Sequence, residues 1–230
     1  MYKIIKRILD FILSFIALII LSPILIIVSI VLLSTGEHHV FYFQKRIGYK
    51  NKSFYIWKFA TMLKNSPNIG SGLITTRKDP RVLPFGSFLR KTKLNELPQL
   101  INILKGDMSI VGPRPMVDKT FEVYPEKYRY KIYDSKPGLT GIGSIVFRDE
   151  EDYLTKAKDP QRFFQTVIQP YKAELEMWYR DNKSFIVDFQ IIFLTAWTIL
   201  FPSNKLVFKF FKSLPQNNIE EKLQQFNNNR

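Results

Sequence analysis

The chain has 230 residues, 46% of them hydrophobic, and carries 34 Lys and Arg against 20 Asp and Glu, a formal charge of +14. It has no cysteine, and its two histidines are the neighbours His38 and His39, so disulfides, thiolate nucleophiles, cysteine metal sites and histidine-based triads are excluded. The charge selects polyanionic partners, among them nucleic acid, anionic lipid and phosphorylated substrates.

The first element narrows that choice. Lys3, Lys6 and Arg7, read as membrane-surface anchors, precede an uncharged run from Phe11 to Leu33. As a helix this run would reach about 35 Å, against a hydrocarbon thickness of about 30 Å. The next cations, Lys45, Arg46, Lys50 and Lys52, lie beyond it. The preference of Lys and Arg for the cytoplasmic side therefore draws both flanks into one compartment. Pro23 deletes the donor that would bond the Ile19 carbonyl, and the Ser22 hydroxyl can return a bond to the Leu18 carbonyl, which makes a mid-depth bend tolerable in lipid. Residues 1–36 are read as a re-entrant membrane helix broken at Ser22-Pro23; a cleaved signal segment and a single-pass anchor are the weaker alternatives. Lipid headgroups and a phosphate-bearing substrate become the expected partners.

Residues 37–202 form the expected cytoplasmic-face domain. Two alternating runs, Val40 to Ile47 and Phe54 to Phe59, flank a basic turn and predict a β-hairpin. A loop from Lys64 to Lys78 follows, then a short helix from Val82 to Arg90. In the next segment Asn95 is placed as N-cap, Pro98 in the first turn and Gly106 at the end of a helix over Gln99 to Lys105. Gly112 to Pro115 and Lys136 to Gly141 read as rigid turns, with a helix from Lys119 to Asp134 between them. Asp159 to Arg180 reads as a longer helix. Ser184 to Phe201, apolar except for Asp188, suits an interfacial or core-closing helix stopped by Pro202. The Asn- and Gln-rich stretch 203–230 predicts a mobile tail. The fold class is α+β, mainly helical, with the re-entrant helix, a small hairpin and interfacial helices.

Chemistry concentrates between Thr75 and Pro115, where Arg77, Arg81, Arg90 and Arg114 alternate with Asp79, Glu96 and Asp107 beside a helix start. Guanidinium forks for phosphate oxygens, together with carboxylates for a bridging divalent cation, suit a diphosphate substrate. A nucleic-acid surface would not need the acids, and no nucleic-acid-binding pattern is visible, so nucleic acid is not expected as a partner.

Over roughly residues 3 to 200 the chain resembles the bacterial sugar transferases, the monotopic phosphoglycosyl transferases. The resemblance rests on Lys6-Arg7 with Asp10, Ser22-Pro23, Gln44 to Gly48, Lys58-Phe59 before Met62, Asp79-Pro-Arg81 and Phe88-Leu-Arg90. It extends through Glu96 to Leu100, Gly106 to Ser109, Val111 to Pro115 and Lys136 to Gly141. It implies transfer of a sugar-1-phosphate from a UDP-sugar to undecaprenyl phosphate with release of UMP, Mg²⁺ as cofactor, and a place at the bacterial inner membrane. It further implies catalytic roles for the Asn95-Glu96 pair, with Glu96 on the metal, and contacts from Arg90 to phosphate and from Arg114 to the nucleotide; the charged segment and motifs add Asp107 as a catalytic candidate and Arg77, Arg81 and Lys136 as substrate contacts. A homo-oligomer is compatible with it. The sequence departs from the family where the acid of the Asp-Glu pair, the nucleophile, is Asn95. An amide cannot attack as a carboxylate does. Three accounts follow: Glu96, Asp107 or the cluster Asp149 to Asp152 supplies the carboxylate; the carrier phosphate attacks directly; or the protein is a catalytically silent membrane adaptor. Ala60 in place of an arginine, and Ile142 to Glu151 in place of the family's usual Gln-Val ending, are further departures.

Overall fold

The computed structural model of the chain describes residues 1–69, 75, 79–201 and 206–228. Helix α1, Tyr2–Ser34, is the element among them long and apolar enough to cross a membrane, by length and composition. The chain stays helical through Ser22 and Pro23, so the break is confined to the one bond that Pro23 cannot make. The Ser22 hydroxyl donates to the Ile19 carbonyl at 2.8 Å rather than to that of Leu18. It thereby occupies the carbonyl that proline leaves without a donor.

The predicted hairpin is present as β1, Phe41–Ile47, and β2, Ser53–Phe59, antiparallel with Phe43 opposite Trp57 and Lys45 opposite Tyr55. Next come α2, Pro84–Lys91, and α3, Gln99–Lys105, which Gly106 ends in the left-handed region at φ 92°. Asn95 does not cap α3. It lies in a separate tight turn, Leu94–Glu96, because Pro98 takes the cap position and starts the helix after it. The two glycine turns also differ from expectation, since Ser109–Val111, β3, pairs in parallel with Gly138–Thr140, β4. Their backbones approach so closely that a Cβ on Gly112 would lie 2.3 Å from the Lys136 carbonyl oxygen. Only glycine allows that pairing.

Between these strands the chain forms α4, Asp118–Phe121, and α5, Glu126–Ile132, in place of one helix, because Pro125 separates them. After β4 come α6, Ile142–Val146, and α7, Glu150–Lys156. Then α8, Pro160–Phe163, runs through one wide turn into α9, Gln169–Asn182, followed by α10, Phe185–Leu200. Pro202 lies outside the described residues. Where composition predicts a mobile tail, two helices occur, α11, Leu206–Phe210, and α12, Ile219–Asn228. Val207, Phe211, Leu214, Ile219 and Leu223 are buried in the same apolar cluster as Tyr171, Leu175 and Leu194. Sparse apolar residues at helical spacing suffice to dock a segment whose average composition is polar.

Helix α1 lies along the domain. Ala17, Leu18 and Leu21 pack with Ile56, Leu100 and Ile103, while Val28 and Leu32 pack with Phe59 and Leu89. Its first turns are tied by charge rather than left at a lipid surface. Lys6 Nζ and the Tyr2 hydroxyl each donate to Asp188 Oδ2 at 2.7 Å, and Arg7 donates to the last carbonyls of α3, those of Ile103 and Leu104. The Asp10 carboxylate accepts from the Ile110 amide at 3.0 Å. The opposite face is apolar and open, with Ile4 and Ile20 each 68% exposed.

The fully buried Asn102 joins α3 to the hairpin edge: its Oδ1 accepts from the Trp57 amide at 2.9 Å and its Nδ2 donates to the Tyr55 carbonyl at 2.8 Å. Asn102→Leu is expected to cost about 2–4 kcal/mol, because two backbone groups lose their partners in an enclosed place. The shift of the denaturant midpoint measures this, and a change below about 1 kcal/mol would mean that water replaces the amide.

Candidate functional site

The tight turn Leu94–Glu96, strand β2 and the segment after β3 converge on one carboxylate. Glu96 Oε1 accepts from Lys58 Nζ at 2.7 Å and from Arg114 Nη2 at 3.2 Å. Burial pushes the Glu96 carboxyl up, but Lys58 and Arg114 outweigh it and hold it well below the usual carboxylate range. For Lys58 the balance is reversed, and burial brings it down to about 8 in spite of Glu96. Burial and the charge of Arg114 likewise bring Arg46 to about 10. Arg46, Lys58, Gln99, Arg114, Ile56 and Pro115 line a small recess.

The turn that carries Arg114 is fixed from several sides. The Tyr133 hydroxyl donates to the Arg114 carbonyl at 2.7 Å and accepts from the Met116 amide at 2.9 Å, while Arg46 Nη1 donates to the Pro115 carbonyl at 3.0 Å. Two prolines and these bonds leave the Arg114 backbone little freedom. Asn95 is 7% exposed, and its Oδ1 has no hydrogen-bond partner.

The acid-rich start of α7 faces this cluster. Glu151 Oε1 accepts from Arg90 Nη2 at 2.6 Å, and Glu150 Oε2 pairs with Lys172 Nζ at 2.5 Å while also acting on the charge of Arg114. Burial lowers Lys93, whose ammonium lies within the fields of Glu96, Arg114, Glu151 and Arg90 together. These groups therefore share one neighbourhood.

Other expected residues lie apart. Asp107 and Lys136 are at the far end of α3, where Asp107 Oδ2 is 3.9 Å from Lys105 Nζ and 3.4 Å from Asn102 Nδ2. There Lys136 and Arg7 converge over Gly106. Arg81 is 3% exposed and holds its own loop, bonding Asp79 through Nε at 2.9 Å and Nη2 at 2.6 Å and the Ser66 and Ile69 carbonyls through Nη1. Arg77 lies outside the described residues. Among the described residues no three of His, Cys, Asp and Glu form a cluster that could hold a metal. Sequence reasoning names Arg46 only as a cation beyond α1 and within Gln44 to Gly48, and gives Lys93, Tyr133 and Glu176 no site role. The alternation of β1 and β2, which sets Arg46 beside Lys58 on one face, is the signal that points to the first.

Glu176 is 2% exposed, and its Oε1 accepts the Arg114 amide at 3.4 Å while Oε2 has no partner. Burial raises it from 4.5 to about 7. Its neutral form is favoured in the fold, so its contribution to stability is complete below about pH 4.5 and is lost as pH rises through about 7. Glu176→Gln is therefore expected to stabilise the protein by up to about 3 kcal/mol at pH 8 and hardly at pH 4.5. Unfolding midpoints at the two values test this, and an equal effect at both would deny the shift.

The model of the bacterial sugar transferase family matches residues 1–202, and the chain belongs to that family. Among curated relatives, the exopolysaccharide production protein ExoY of Sinorhizobium fredii is 36% identical over 83% of this chain and 83% of its own length. The undecaprenyl-phosphate galactose phosphotransferase of Salmonella typhimurium is 34% identical over 86% of this chain and 41% of its own. The UDP-N-acetylgalactosamine-undecaprenyl-phosphate N-acetylgalactosaminephosphotransferase of Aeromonas hydrophila is 31% identical over 86% of this chain and 44% of its own. The chain thus spans about four fifths of the first of these relatives and about two fifths of the other two.

Proposed function

We propose that the protein transfers a sugar-1-phosphate from a UDP-sugar to undecaprenyl phosphate at the cytoplasmic face of the bacterial inner membrane, releasing UMP and beginning lipid-linked glycan assembly. The observation that carries this reading is the convergence of Lys58 and Arg114 on the ionised Glu96, with Arg46 beside them. Three cations around one buried carboxylate suit a diphosphate whose charge must be held while a P–O bond is exchanged. The names of the Salmonella and Aeromonas relatives agree with the acceptor.

We place Mg²⁺ at the adjacent oxygen donors of residues 95 and 96. Glu96 and the unpartnered Oδ1 of Asn95 would hold it together with substrate phosphates, the manner in which Mg²⁺ is commonly bound, and it would neutralise charge on the transferred group. Arg90, half engaged with Glu151, is placed to take a phosphate oxygen. With Asn95 unable to attack, Glu150 and Glu151 are the carboxylates that the fold adds to the same neighbourhood, and we place the nucleophile on α7. Its carboxylate oxygen would attack the sugar-bearing phosphorus as the bond to UMP breaks, and the carrier phosphate would then displace it. The cations on both flanks of α1, Lys3 to Arg7 and Lys45 to Lys52, support a helix that enters and leaves on one side.

Incubation of the purified protein with undecaprenyl phosphate, Mg²⁺ and a panel of UDP-sugars should release UMP with one donor. Labelled donor without acceptor should leave the sugar-phosphate on an α7 peptide. Transfer without an adduct would favour direct attack by the carrier. No release with any donor would favour the silent adaptor, to which the amide at position 95 also points.

A further inference from the structure

The hairpin has two unlike faces. Tyr42, Gln44, Arg46, Ile56 and Lys58 alternate onto the face that supplies the recess beside Glu96. The other face carries Phe41, Phe43, Trp57 and Tyr55, and much of it is open, with Phe43 48% and Tyr55 62% exposed. Its rings pack with one another, Phe43 edge-on to Trp57 at 4.8 Å and Phe41 edge-on to Trp57 at 5.5 Å. A soluble surface rarely exposes a joined group of this kind without a partner.

We propose that this aromatic face is a lipid-contacting surface that rests in the headgroup boundary of the bilayer and fixes the height of the site above it. The proposal rests on the membrane reading of α1 given above. Continuity is the first argument: Phe41 stacks on Phe59 at 5.6 Å, and Phe59 packs on Val28 and Leu32 of α1. The patch is therefore an extension of the apolar helix. Order is the second. Toward the hairpin turn the face passes from Phe41, Phe43 and Trp57 to Tyr55 and the exposed Lys45, and the turn beyond carries exposed Lys50 and Lys52. Aromatic rings beside cations are what the headgroup boundary of an anionic bilayer selects. Because β1 and β2 are only one strand thick, lipid on the outer face sets the level at which Arg46 and Lys58 meet a phosphate borne by a lipid.

Trp57 is its own reporter, since replacing Trp178 and Trp197 by Phe leaves it as the one indole. In nanodiscs of phosphatidylethanolamine and phosphatidylglycerol, Trp57 emission should be quenched by lipids spin-labelled near the headgroup more than by lipids labelled deep in the chain. The quenching should be lost in Phe41→Ser/Phe43→Ser. A matched chain with Phe15→Trp and no other indole reports on α1, where deep labels should quench. Quenching of that probe but not of Trp57 overturns the proposal and leaves the membrane reading standing; quenching of neither overturns both. The chain lacks cysteine, so Phe43→Cys supplies a unique thiol. Efficient disulfide crosslinking of two chains through it, without Trp57 quenching, would show that a second copy covers the face and would also overturn the proposal.

Discussion

Glu96→Gln is expected to lower sugar-phosphate transfer by about 10²–10³-fold while the protein stays folded. Glutamine keeps an oxygen that Lys58 and Arg114 can bond, but removes the charge that holds the two cations in fixed directions. Without it Lys58, already brought to about 8 by burial, is pushed further toward its neutral form, and the site loses one of the positive charges that the proposed reaction uses. UMP release at saturating donor and acceptor measures the loss, with a thermal unfolding curve to establish folding. Activity within tenfold of the parent would remove Glu96 from the site.

The largest expected effect on stability is at Asp188. Its carboxylate accepts from Tyr2, Lys6 and Tyr179, each at 2.7 Å, where α9, α10 and the start of α1 meet. Asp188→Ala leaves the Lys6 ammonium enclosed without its counter-charge and is expected to cost about 3–5 kcal/mol. Lys6→Met/Asp188→Leu, which removes both charges together, should recover most of this, as replacing a buried pair by apolar groups commonly does. Denaturant unfolding in detergent compares the three chains. Equal loss in single and double variants would show that the hydrogen bonds from the tyrosines, rather than the ion pair, carry the joint.

The parts legible in the sequence were those with a local cause. Alternation defined the hairpin, Pro98 and Gly106 bounded α3, and the length of the apolar run defined α1. The parts that were not legible depend on residues distant in sequence. The parallel pairing of Ser109–Val111 with Gly138–Thr140 is visible only once two glycine-bearing segments lie side by side. Docking of α12 rests on a few apolar residues in a polar stretch, which composition averages away. In the site, Glu96 and Arg114 followed from motif and charge, whereas Lys93, Glu176 and the Arg90–Glu151 pair follow from the packing of α7 and α9 against the turn. Asp107 lies eleven residues from Glu96 in the same charged segment, yet a single short helix holds it at the opposite end.

The bond between Tyr2 and Asp188 joins positions 186 apart. At about 5–20 residues per second a ribosome needs about 10–40 s to reach the second after making the first. The greasy helix is thus born long before the acid that will moor its first turn, and that turn must wait in lipid or with a chaperone until Asp188 has been made. Nascent chains halted short of Asp188 should leave the Tyr2–Lys6 turn open to protease, and those released beyond it should not.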